Sequence, residues 1–293
     1  SGAATVCSGT NSTTLTLSGN TGTIQWQSST DNITFNNIVG ATFATYTATN
    51  LTTISYYRAV VTSGVCSPAT TSSVTISVSP TSISGSISGA ATVCNGTNST
   101  TLTLSGNTGT IQWQSSTDNS NFADISGATS STYTATNLTA TKYYRTLVTS
   151  GVCSAATTSS DIVTVNPTSV AGAISGATSV CTGTNSATLT LSGNTGTVQW
   201  QVSTNGTSWN AISGATSSTY TATDLTATTY YRAVVTSGVC GSATTASATV
   251  TVNPTSVAGT ISGAATVCSG TNSTTLTLSG NTGTIQWQSS TDN

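Results

Sequence analysis

Seven cysteines are the residues of this chain best equipped for covalent chemistry, and their spacing is regular. Cys7, Cys94, Cys181 and Cys268 stand 87 positions apart, and Cys66, Cys153 and Cys240 follow the first three at a distance of 59. Thiols at fixed intervals either bridge or hold a metal. The chain has no His and no Glu, so a zinc or iron site would need Cys alone, and calcium would find no carboxylate cluster. The spacing therefore reads as disulfides in an oxidising, extracytoplasmic setting. Pairing within each period gives Cys7–Cys66, Cys94–Cys153 and Cys181–Cys240, with Cys268 unpaired among these residues. Closing a loop of that length stabilises by ~4 kcal/mol in the chain-entropy model. Two rivals stand beside it: Cys66 bridged to Cys94, which would staple neighbouring periods, and free buried thiols. Pairing within the period is the expectation, because a last strand and a linker separate Cys66 from Cys94.

Other reactive groups are scarce. Only 3% of the residues are charged, four Lys+Arg against six Asp, where a soluble domain averages about 25%. Acid–base work near neutral pH would rest on isolated Asp residues, so the sequence reads as a non-enzyme with no cofactor. Arg58, Lys142, Arg145 and Arg232 leave nucleic acid no electrostatic footprint. No run approaches the ~20 apolar residues of a membrane span. What recurs is an arginine after two tyrosines. Strand parity places Tyr56 and Arg58 on one outer face with Gln25 and Gln27. The same set returns as Gln112, Gln114, Tyr143 and Arg145, and again as Gln199, Gln201, Tyr230 and Arg232. Two readings fit: a repeated patch for sugar or substratum, or a cation–aromatic and hydrogen-bonded ladder covering the sheet. Rows of alternating Thr, as in TTLTL, add ice to the surfaces such a face could meet.

These residues return because the whole chain repeats. Trp26, Trp113, Trp200 and Trp287 share the spacing of 87, as do Pro80, Pro167 and Pro254, and the first 32 residues recur unchanged at the end. Such a period is too long for a solenoid repeat and suits a small self-contained domain. The expected domains are residues 1–80, with an incomplete N-terminal edge, then 81–167 and 168–254, and a partial copy at 255–293. The chain reads as a segment of a longer array with short linkers.

Inside one period the pattern alternates at two and never at 3.6. Leu15 and Leu17 face one way, as do Ile24 and Trp26, then Tyr46 and Ala48, then Tyr57, Ala59 and Val61, then Val74, Ile76 and Val78. Asp31-Asn32, Asp118-Asn119 and Asn205-Gly206 read as two-residue hairpin turns. Phe35, Phe122 and Trp209 put an aromatic on the returning strand. Seven short strands with turns every 8–12 residues predict an antiparallel β-sandwich. The core falls on Trp26, Tyr57, Trp113, Tyr144, Trp200, Tyr231 and Trp287.

Leu51 followed six residues later by Tyr57, Ala59 and Val61 resembles the tyrosine corner of immunoglobulin-like domains, and Trp26 resembles their core tryptophan. The cysteines depart from that family, since they do not flank the tryptophan. More narrowly, the run TVCSGTNSTTLTLSGNTGTIQWQSSTDN, with the later YYR and SGVCS, is similar to the Ig-like repeats of giant Bacteroidota surface proteins. Among these are the SprB-like gliding-motility adhesins exported by the type IX system. The resemblance implies tandem Ig-like or fibronectin-III-like sandwiches in a linear rod on the Gram-negative outer surface. It implies a stalk or filament segment of an extracellular adhesin serving attachment or gliding, each unit roughly 35–45 Å long from strands at ~3.3 Å rise. The other reading is a multivalent carbohydrate- or surface-binding module. Expected partners are neighbouring repeats, other copies in a fibre, and surface polysaccharide or substratum.

Overall fold

The structure, a computed structural model, describes residues 1–292. The described residues form strands and turns with no helix. The chain divides into two units, one of residues Ser1–Val165 and one beginning at Asn166.

In the first unit the strands are β1 (Ala4–Cys7), β2 (Ser12–Thr16), β3 (Thr23–Ser29), β4 (Asn36–Asn37), β5 (Thr45–Thr49), β6 (Ser55–Thr62), β7 (Ala69–Thr70) and β8 (Val74–Ser79). The pattern returns as β9 (Ser86–Ser88), β10 (Thr92–Cys94), β11 (Ser99–Ser105), β12 (Thr110–Ser116), β13 (Ala123–Asp124), β14 (Thr132–Thr136), β15 (Lys142–Thr149), β16 (Ala156–Thr157) and β17 (Asp161–Asn166). Residues 86–166 carry the full plan. One sheet runs β10-β17-β15-β12-β13 with β16 on β15, and the other runs β14-β11-β9. This is an immunoglobulin-like sandwich with a first strand split between the two sheets. In the first copy β1 pairs parallel with β8, whereas β3, β6 and β8 pair antiparallel.

The alternation read from the sequence fills the space between the sheets. Leu102, Trp113, Ala135, Tyr144, Val148 and Val163 are buried together, and Leu15, Trp26, Ala48, Tyr57, Ala59 and Ile76 form the same cluster one period earlier. Tyr133 bridges the sheets, its ring 5.9 Å from Trp113 and 5.6 Å from Tyr144. Burying an indole strands its N–H, and a carbonyl answers it: Trp113 Nε1 donates to Ser130 O at 2.9 Å.

In the second unit the strands are β18 (Ala173–Ser175), β19 (Ser179–Cys181), β20 (Ser186–Ser192), β21 (Thr197–Ser203), β22 (Asn210–Ala211), β23 (Thr219–Thr223), β24 (Thr229–Thr236), β25 (Ala243–Thr244) and β26 (Ala248–Asn253), then β27 (Thr260–Ser262) and β28 (Thr277–Ser279). Trp200 and Tyr231 are buried in a third core. Trp287, read as core, is 46% exposed. Residues 257–292 hold no counterpart of Tyr46, Tyr57 and Ala59, which cover Trp26.

The hairpin reading is also corrected. β3 and β4 pair Gln27 with Asn37 and Ser28 with Asn36, so the loop holds seven residues and not two. Of each expected turn pair only the second residue, Asn32, Asn119 or Gly206, has positive φ. Asp31 takes up the loop's polar groups instead, its Oδ1 accepting from the amides of Ile33 and Thr34 at 2.8 Å and from Ser29 Oγ at 2.7 Å.

The topology overturns the cysteine pairing. β1 lies beside β8 with Cys7 opposite Ser79, and β8 runs against β6 with Ile76 opposite Ser55. Cys7 therefore sits at the pole where β6 begins, while Cys66 follows the end of β6. Eight residues at ~3.3 Å put ~25 Å between them, and a disulfide needs Cα atoms within about 7 Å. Cys7 is bonded instead to Cys153, 146 residues on, with Cα atoms 4.9 Å apart. Cys66 and Cys181 are free and exposed, and Cys94 and Cys240 are both disulfide-bonded. None of Cys7–Cys66, Cys94–Cys153 and Cys181–Cys240 forms, and neither does the rival Cys66–Cys94. Cys268 is free.

Candidate functional site

Three features recur at fixed places: a joint where one repeat meets the next, an arginine cluster on the outer sheet face, and an asparagine that ties two loops.

The joint follows from the poles. β8 ends at Ser79, and Pro80 stops the ladder because it has no N–H to donate. Cys7 is already there, its neighbour Ser8 donating to Ser79 O at 2.8 Å. The turn after β15, Ser150–Cys153, closes with Cys153 N donating to Ser150 O at 2.9 Å and lies against this linker. Ser150 N donates to Ser82 Oγ at 2.9 Å. Cys153 Sγ lies 3.2 Å from Pro80 O; bonded to Cys7 it has no proton to give, so this is a packing contact. Gly151 has φ +52°, and any Cβ there would collide with the Ser79 side chain. The second unit repeats the arrangement within itself. Ser237 N donates to Ser169 Oγ at 2.9 Å, Cys240 Sγ lies 3.2 Å from Pro167 O, and a Cβ on Gly238 would collide with Asn166.

The arginine cluster forms from register. β3 and β6 place Gln27 opposite Arg58, and Arg58 Nε donates to Gln27 Oε1 at 2.7 Å. The guanidinium lies 4.0 Å over the Phe35 ring. Arg145 repeats this with Gln114 at 2.7 Å and Phe122 at 4.0 Å, and Arg232 with Gln201 at 2.7 Å and Trp209 at 4.3 Å. The structure thus gathers Arg, one Gln and an aromatic that the sequence had assigned only to a strand. It sets the other glutamine apart: Gln25 Nε2 donates to Trp26 O and Ile38 O. Gln112 and Gln199 do likewise. These amides secure the turn after the short strand and are not part of the cluster. Tyr56, Tyr143 and Tyr230 stay half-buried two residues before each arginine.

In the sequence this asparagine does not stand out as a site, because in two of its copies, Asn11 and Asn98, it sits in an Asn-x-Ser/Thr triplet that reads as composition. Asn98 Nδ2 donates to Cys94 O and Leu138 O at 2.8 Å, and Leu138 N donates to Asn98 Oδ1 at 3.0 Å. Asn11 and Asn185 make the same three bonds. The loop they tie leads into the tyrosine-corner residues, and no unbonded amide is left for a sugar at Asn11 or Asn98.

Charge is handled locally. The amide of Ile33, with Ser29 and Thr34, holds the Asp31 carboxyl down at about 2, and Asn121 and Ser116 hold Asp118 well below the carboxylate range. Burial, reinforced by the neighbouring Tyr133 and Tyr220, pushes Tyr144 and Tyr231 up to about 12. Among the described residues no group of three or more His, Cys, Asp or Glu could hold a metal, and no helix is long and apolar enough to cross a membrane.

A family model described as "Domain of unknown function (DUF8696)" matches the chain four times, over residues 1–80, 83–167, 170–254 and 257–293. The chain belongs to this family. DUF8696 copies therefore stand in tandem along it. Among solved structures, the marsupial T cell receptor is 13% identical with a TM-score of 0.44, over 84% of this chain and 98% of that one. Extracellular domains 3–5 of Drosophila OTK are 12% identical at 0.36, over 85% and 94%. The FN1–FN3 domains of chicken CNTN1 are 14% identical at 0.27, over 84% and 95%. With scores this low, the fold stands on the chain's own strand order and register. No curated protein matches.

Proposed function

We propose that the chain is a stalk or filament segment of a long extracellular adhesin, a linear rod whose repeats carry load between an anchored end and a binding end. The observation that carries this reading is the Cys7–Cys153 bridge, which leaves one repeat and enters the next. A bond inside a domain would stabilise that domain; a bond across a joint resists bending and pulling between domains. Disulfides persist in oxidising compartments, which supports an extracellular place. The similarity of the repeats to those of Bacteroidota adhesins supports the Gram-negative cell surface, attachment and gliding. The work is mechanical, with no catalytic step and no cofactor. Low charge suits it, since few exposed ions leave little for salt to screen. Electron microscopy of the native material tests the reading: fibres with an axial repeat of roughly 35–45 Å are expected, and particles without that repeat overturn it.

The Arg–Gln–aromatic cluster favours a second reading, a weak site for polysaccharide or substratum multiplied along the array. Retention of the chain on immobilised polysaccharide, glass or ice, lost when Arg58, Arg145 and Arg232 are replaced together, is the expected result. Failure to be retained at high protein concentration removes it.

A further inference from the structure

Each arginine cluster leaves most of its guanidinium uncommitted. Arg58, Arg145 and Arg232 use Nε on Gln27, Gln114 and Gln201, and a ring covers one face of each. Among the described residues their Nη groups make no hydrogen bond, and no carboxylate forms an ion pair with any of the three. The chain's own acids are engaged elsewhere, Asp31 and Asp118 by the amides of their loops.

The side chain is nevertheless held. The glutamine that fixes Nε is itself fixed in the first two copies. Gln27 Nε2 donates to Asn37 Oδ1 and Gln114 Nε2 to Asp124 Oδ1, both at 2.8 Å. Gln114 is 9% exposed, and all three arginines are half-buried. A guanidinium tied at Nε offers Nη1 and Nη2 as a planar fork, which matches the two oxygens of a carboxylate. Holding the fork in advance removes much of the ordering cost that a free arginine would meet on binding.

The number of forks narrows the ligand. One per repeat is too few for nucleic acid, which carries a charge for about every 1.7 Å of duplex. A polysaccharide with one carboxylate per sugar asks each fork to hold one carboxylate, and repetition along the array multiplies the weak contacts. We propose that the clusters at Arg58, Arg145 and Arg232 are binding sites for the carboxylates of an acidic polysaccharide. The inference rests on the second reading above and names its ligand. The copies differ in strength and not in ligand. Asn37 is replaced by Asp124 in the second copy and by Ala211 in the third. Asp124 sets a negative charge one amide away from Arg145, so the second cluster holds an anion least tightly.

The test passes the full chain over immobilised polygalacturonate and over its methyl ester, which keeps the sugar backbone and removes the charge. Retention on the acid form alone is expected, with release at 1 M salt, where the Debye length is about 3 Å. Replacing all three arginines by glutamine should abolish it. A second variant leaves the cluster intact: in a chain carrying Arg58→Gln and Arg232→Gln, Asp124→Asn should tighten trigalacturonate binding about threefold. Equal retention on the two forms overturns the carboxylate assignment and leaves the polysaccharide reading standing; retention on neither overturns both. Retention that survives loss of the arginines, or unchanged affinity in Asp124→Asn, also overturns the inference.

Discussion

Pulling on the first unit measures the bridge directly. With handles on Ser1 and on Thr168, both exposed, the oxidised chain can extend only through residues 1–7 and 153–168, because the Cys7–Cys153 bond bypasses everything between. The bypass spans 146 residues. At 3.3–3.6 Å per extended residue, Cys153→Ser should therefore lengthen the fully unfolded tether by about 500 Å. The same loop contributes about 5 kcal/mol in the chain-entropy model, so the variant should also unfold at lower force. Optical tweezers resolve both quantities. Pairing within the repeat predicts a different number: losing a Cys94–Cys153 loop would release only 59 residues, about 200 Å. A gain near 200 Å, or none, refutes the bridge across the joint and with it the load-bearing argument.

Four further outcomes follow from local chemistry. Thr146 Oγ1 is buried with no partner among the described residues, where the other copies have Ala59 and Ala233. Thr146→Val keeps the shape, removes the stranded hydroxyl and should stabilise residues 86–166 by about 1 kcal/mol, read as slower amide exchange in β15. Asn98→Ala breaks the side-chain bonds to Cys94, Gly96 and Leu138 and should cost about 2–3 kcal/mol, seen as a drop of several degrees in the melting temperature. Asp31 is depressed when folded, so its contribution is complete above the ordinary carboxylate value and fades as pH falls toward about 2. The Ile33 and Thr34 amides should then lose exchange protection, while Thr207 and Ser208, held by uncharged Asn205, should not. Tyr144 and Tyr231 are raised, so the stability they carry is present below the ordinary phenol value and lost as pH climbs through about 12. An ultraviolet titration should show a late phase at about 12 that Tyr144→Phe and Tyr231→Phe each diminish.

Much of this molecule is written in its alternation. Leu102, Trp113, Ala135 and Tyr144 were placed by parity alone, because a strand gives each side chain one of two faces and water decides which. The sandwich and its period follow from that. Pairing of thiols does not, because parity says nothing of which pole a strand end occupies. Cys7 reaches the far pole from Cys66 only because β1 runs parallel to β8, and a parallel neighbour leaves no mark in a four-residue strand. The Arg58 cluster was half legible. Register across β3 and β6 brought Gln27 in, but Phe35 arrives through a loop whose length the Asp31 side chain sets. Asn98 was invisible for a different reason: the two bonds it shares with Leu138 cross to a segment 40 residues away, and nothing near it in the chain signals that partner.

Comparison of the copies separates what the joint demands from what it leaves open. Each repeat end must fit the next, so the turn glycine, the cysteines and the Pro-Thr-Ser of the linker return at every period. A change at one pole would need a matching change at the other, 68 to 74 residues away in the chain. The loops on the flank face no such partner. Ile33, Val39 and Phe43 are exposed in the first copy, and the same positions hold Ser120, Ser126 and Ser130 in the second and Thr207, Ser213 and Ser217 in the third. An apolar side chain in water there costs little, and its replacement by a hydroxyl disturbs neither core nor joint. The loops around β4 are therefore where one repeat can acquire a contact its neighbours lack. The arginine cluster beside them is constant because Arg58, Gln27 and Phe35 hold that flank in place. If copies of this array differ in what they touch, the difference will lie at positions 33, 39 and 43, and exchanging those three residues between copies should transfer it without moving the melting temperature.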